Sequence, residues 1–72
     1  MTIEEARQTF PLMKIKASKG DNLNRMTWRI YGSLEEKYSR TLTALNVRFD
    51  WNSIKPGDEI KFFTAEVVDM IW

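Results

Sequence analysis

Ser18-Lys19-Gly20-Asp21-Asn22-Leu23-Asn24-Arg25-Met26-Thr27-Trp28-Arg29-Ile30-Tyr31-Gly32 encodes a turn, a helix and a stop in one uninterrupted stretch. Gly20 reaches turn conformations that strain other residues, and Asp21 brings a carboxylate able to accept the backbone N–H groups left free at a helix start. Leu23, Met26, Thr27 and Ile30 recur at i, i+3, i+4 and i+7, which makes one buried helix face. Gly32 follows, where a positive φ ends a helix at little cost.

Working outward toward the N-terminus, Leu12-Met13-Lys14-Ile15-Lys16-Ala17 alternates, with Met13, Ile15 and Ala17 on one face and the two lysines in solvent. Pro11 marks where this strand's domain starts. Thr2-Ile3-Glu4-Glu5 is a capping-box pattern for a short helix, and eight or so residues are marginal alone, so residues 1–10 read as an arm.

Toward the C-terminus, Ser33-Leu34-Glu35-Glu36 is a second capping box immediately after Gly32, so two helices follow one another with almost no linker. Leu34, Tyr38, Thr41, Leu42 and Leu45 form the expected buried stripe, Glu36 and Arg40 pair across one turn, and Asn46 is placed as a left-handed stop. Val47 to Ser53 shows no period. Lys55-Pro56-Gly57-Asp58 suits a type II turn, and Glu59-Ile60-Lys61-Phe62-Phe63 is a strand with Ile60 and Phe62 on one side and Phe63 on the other. The order strand, helix, helix, strand predicts a two-layer α+β domain over residues 11–63, its two antiparallel strands packed on two helices. Residues 64–72, with Val67, Val68, Met70, Ile71 and Trp72, are too apolar for a solvated tail and read as a C-terminal arm that docks on a partner.

Composition limits the chemistry. The 72 residues hold no cysteine and no histidine, so neither a disulfide nor a Cys/His metal site staples a domain this small. No metal and no cofactor is expected. Eleven basic and ten acidic residues give a formal charge of +1, which proposes neither nucleic acid nor a membrane surface as the partner. The start of the chain has acids where a signal peptide carries bases, and synthesis in the cytoplasm is the expectation. Glu4/Glu5, Glu35/Glu36 and Asp58/Glu59 are sequence neighbours whose side chains diverge, so no pair of carboxylates faces one substrate atom and no enzyme is expected.

Two constellations remain. Arg25, Trp28 and Arg29 lie opposite the apolar face of the first helix, the residue types that dominate binding hot spots. Either they meet another polypeptide, or Trp28 is covered by residues 64–72 of its own chain. Trp51, in Arg48-Phe49-Asp50-Trp51-Asn52, either stacks on a sugar or closes the end of the core beside Phe49, and the second reading is the preferred one.

Gly20, Asp21, Leu23 and Met26, then Asn46, then Ile54, Gly57 and Ile60 stand in the order and spacing of the LysM domain, which this chain resembles over residues 11–63. The resemblance implies a β-α-α-β fold. Trp28-Arg29-Ile30-Tyr31-Gly32 further resembles the helix ending of phage tail protein X, a LysM-like component of contractile tails. It implies a non-enzymatic structural adaptor in the baseplate hub region of the virion, several copies in a symmetric ring, with tube, hub or spike, and wedge proteins as partners. On that reading Arg25, Trp28, Arg29, Val67, Val68, Met70, Ile71 and Trp72 face partners. The alternative implied by LysM is a module for peptidoglycan or N-acetylglucosamine, with Asp21, Asn22, Leu23, Trp51, Ile54 and Pro56 on the sugar. Asn22, Thr27 and Val47 depart from the sugar-binding pattern, which expects Thr, Ala and an Asn-Pro there, so a glycan is the less favoured ligand. A scaffolding domain of a bacterial host protein is a third reading.

Overall fold

The computed structural model describes residues 1–72. It is an α+β fold with six elements: α1 Ile3–Thr9, β1 Met13–Lys16, α2 Leu23–Tyr31, α3 Glu36–Leu45, β2 Glu59–Phe62 and α4 Ala65–Ile71. The strands pair antiparallel, Met13 opposite Phe62 and Lys16 opposite Glu59. The central β-α-α-β order is the expected one, and the terminal segments flank it as two further helices.

Local signals set most boundaries. Thr2 caps α1 in a complete box, its hydroxyl accepting from the Glu5 N–H while the Glu5 carboxylate accepts from the Thr2 N–H. Gly32 ends α2 at φ 65°. Gly57 has φ 90°, and the Asp58 N–H donates to Lys55 O across 3.1 Å, the pattern of a type II turn.

Three caps differ from expectation. Asn22, not Asp21, caps α2, its Oδ1 accepting from the Arg25 N–H at 2.9 Å. Ser33 Oγ accepts from the Glu35 N–H at 3.1 Å, a turn closed within two residues, so α3 starts at Glu36 and Leu34 falls outside it, 57% exposed. Asn46 is not left-handed, with φ −126°. Its amide instead reaches the sheet, Nδ2 donating to Lys61 O at 2.9 Å and Oδ1 accepting from the Lys61 N–H at 3.0 Å. That pair of bonds satisfies the outer edge of β2 with a side chain where a third strand would otherwise pair.

The core is two small clusters. Met26, Leu42 and Ile60 form one, with Ile15, Leu23, Ile30, Phe49, Trp51 and Phe62 packed against it. Ala6, Tyr38, Leu45, Phe63, Val67 and Val68 form the other. The second cluster corrects the partner-facing assignment of Val67 and Val68: both are buried, because α4 folds back and packs with α1 and α3. Phe63 is corrected with them. The strand stops at Phe62, the chain turns, and Phe63 goes fully into this cluster rather than to the solvent face. Met13, expected inside, is 46% exposed at the far end of the ladder.

Tyr31 packs against both clusters. Its ring stacks on Tyr38 with centroids 4.3 Å apart, and its hydroxyl donates to Phe63 O at 2.7 Å. Further along α4, Trp72 Nε1 donates to Thr41 Oγ1 at 2.8 Å and Lys37 Nζ meets Asp69 at 2.7 Å. Hydrogen bonding to Asp69 raises the Lys37 ammonium above its ordinary pKa.

Burying two valines contributes about 3–6 kcal/mol, against a total of roughly 4–11 kcal/mol for a chain this long. A chain shortened to end at Phe63 should therefore show no cooperative thermal transition near room temperature. Retention of the full-length melt would mean that α4 contributes nothing to the core.

Candidate protein-binding surface

Trp28 and Leu34 are the apolar centre of a shallow depression of about 490 Å³, lined also by Asn24, Arg25 and Arg29. The two apolar side chains come from different places. Trp28 is carried on the outer face of α2 because Met26, Thr27 and Ile30 take the inner one; Leu34 is held just past Gly32 by the short Ser33 turn. Trp28 is 60% exposed and no part of the chain closes over it. Residues 64–72, one of the two alternative covers for Trp28, pack on α1 and α3 instead. Leu34 is the site residue missed from sequence, hidden by a capping pattern that placed it inside a helix; Ser33, two positions before Glu35, was also compatible with the closed turn observed.

The flanking cations are unlike each other. Arg25 is exposed and makes no ion pair. Arg29 is paired, with Nη1 and Nη2 donating to the two Asp21 oxygens at 2.8 and 2.7 Å and Nη1 also 3.6 Å from Met26 Sδ. Asp21 is 8% exposed and also accepts from the Ser18 N–H at 2.6 Å. Burial alone would raise its carboxyl, but the Ser18 hydrogen bond and Arg29 outweigh it and hold it below the ordinary aspartate value. Arg29 thus holds the Ser18–Asp21 turn to α2 and presents its remaining edge beside Trp28.

Of the other residues assigned to partners, Met70 is 54% and Trp72 53% exposed, while Ile71 is half-buried against the α1/α4 cluster. Arg40 sits 5.8 Å from the Trp72 ring. None of them lines the Trp28 depression.

The six residues of the glycan alternative are dispersed in their roles. Asp21 is the buried carboxylate just described, Asn22 the helix cap, and Leu23 and Trp51 pack on the Met26 cluster. The Trp51 ring meets Phe49 edge to face at 4.9 Å, the core-closing arrangement. Ile54 is half-buried and Pro56 exposed in the turn before Gly57. Neither surface depression is lined by any of the six.

No protein-family model, curated protein or solved structure matches the chain.

A folded carboxyl whose pKa lies below its unfolded value stabilises above the unfolded value of about 3.9, and loses that contribution as pH falls through the folded one. Asp21→Asn should cost about 2 kcal/mol at neutral pH, since it removes charge-assisted bonds to a half-exposed arginine, and should flatten the loss of stability below about pH 4. Denaturant melts from neutral to acid pH check this, and an unchanged acid limb in the variant would remove Asp21 from the account.

Proposed function

We propose that this chain is a non-enzymatic structural adaptor that works by protein–protein assembly, in a contractile phage tail or its baseplate hub. The observation that carries the reading is the exposed Trp28–Leu34 surface with Arg25 and Arg29 at its rim. A rigid indole on a helix, beside a second apolar side chain and a free guanidinium, has the make-up of an interface hot spot. The β-α-α-β order and the Trp28-Arg29-Ile30-Tyr31-Gly32 ending support the LysM-like, tail-protein assignment of that partner class. The virion is the place of action on this reading, with tube, hub or spike, and wedge proteins as neighbours and several copies in a ring.

Complementation of a phage lacking this gene tests it. The unaltered chain should restore assembled tails and be recovered in them; Trp28→Ala should weaken its incorporation by about 2 kcal/mol or more, about 30-fold, with the melt of the isolated protein unchanged. Tails that assemble equally well without the chain would overturn the proposal, as would saturable binding of N-acetylglucosamine oligomers that Trp51→Ala abolishes.

A further inference from the structure

The second depression in the surface, about 460 Å³, is lined by Arg7, Leu45, Asn46, Val47, Arg48, Phe49 and Lys61. It shares no residue with the Trp28 surface. Three of its side chains are cationic and none is acidic. Arg48 and Lys61 make no ion pair, and Arg7 has only a loose one, to the exposed Glu4 at 3.7 Å. The chain's other carboxylate pairings are made elsewhere, to Arg29, Lys37 and Arg40.

The positive charge here is built in at a cost. Lys61 stands directly opposite Lys14 across the ladder, and like charges at facing positions of an antiparallel pair are destabilising. Glu59, the nearest acid on that face, is opposite Lys16 instead. The cations are also held in place. Asn46 fixes the Lys61 backbone through both its N–H and its carbonyl, and the Phe49 N–H donates to Asn46 O at 3.0 Å, closing the turn that carries Arg48. Val47, at the tip of the same turn, is 79% exposed, the most exposed large apolar side chain of the protein.

The geometry points to this groove as a docking site for an acidic segment of another polypeptide, with carboxylates on Arg7, Arg48 and Lys61 and an apolar side chain against Val47. A strand cannot add here, because the Asn46 amide already occupies the edge of β2 at Lys61, so side chains hold the segment. Nucleic acid fits less well. The one aromatic lining the groove, Phe49, is half-buried, packed edge to face with Trp51 and against the Met26 cluster, so it is a poor stacking platform for a base. Together with the Trp28 surface this would make the domain bivalent, but the groove stands on its own residues whether or not the tail assignment holds.

The test uses the full chain and a blocked peptide of alternating glutamate and valine, followed by calorimetry at low salt. Saturable binding is expected, falling with added salt, absent for the glutamine–valine peptide, and weakened at least tenfold by Arg48→Ala or Lys61→Ala but not by Lys55→Ala. The exposed double change Arg48→Glu with Lys61→Glu, its fold checked by melting, should lose that peptide and gain a lysine–valine one. The inference is overturned if the acidic peptide does not bind, if it binds equally to the charge-reversed variant, or if single-stranded or duplex DNA binds where the peptide fails.

Discussion

Tyr31 is where the two halves of this small core become one. The last residue of α2, it lies against the Met26 cluster on one side and the Tyr38–Phe63 cluster on the other. Its hydroxyl ends on the Phe63 carbonyl, at the turn between the last strand and the last helix. Burial raises that hydroxyl's pKa, which keeps it a donor well into alkaline solution. A domain of this length leaves much of its surface in contact with water, and two clusters of six and three buried side chains are each too small to stand alone. The stacked tyrosines let one ring serve both.

The terminal helices follow from the same shortage. Seven-residue helices have little stability of their own, yet α1 and α4 persist because each contributes to a shared cluster: Ala6 from one, Val67 and Val68 from the other. Ala6 is small enough to let the helices approach, and Phe63 fills the space between them and α3. The end of α4 is then tied by a neutral hydrogen bond from Trp72 to Thr41 and an ion pair from Lys37 to Asp69. With no cysteine in the chain, these contacts occupy the place that a covalent staple takes in many small domains.

Periodicity carried the β-α-α-β centre, because Met26, Thr41, Leu42, Leu45 and Ile60 recur at helix or strand spacing and all are buried. What it could not carry was decided by side chains bonding to backbone. Asp21 and Asn22 are both capping residues, and only the arginine eight positions along draws Asp21 away to an ion pair. Ser33 closes a turn and puts Leu34 on the surface, turning an expected core residue into half of the candidate site. Trp28 and Arg25 were legible as an outward stripe, since their positions are the complement of a clear apolar face. The reach of Asn46 to Lys61 spans fifteen positions and has no local signature. Val67 and Val68 looked like surplus apolar surface for the same reason: a sequence shows that such residues need cover, and only the fold shows that α1 supplies it.

The central claim is that α4 and the β-α-α-β centre form one cooperative unit joined through Tyr31. Met26 and Val68 offer a matched comparison, each fully buried, each the first residue of its helix to bond back to the cap carbonyl, at 2.9 and 3.1 Å. Native-state hydrogen exchange measures the opening free energy of both amides directly. The account predicts values within about 1.4 kcal/mol, a factor of ten in protection, both moving together as denaturant is added. A Val68 amide that exchanges orders of magnitude faster than Met26, through an opening insensitive to denaturant, would contradict it and make α4 a separable appendage.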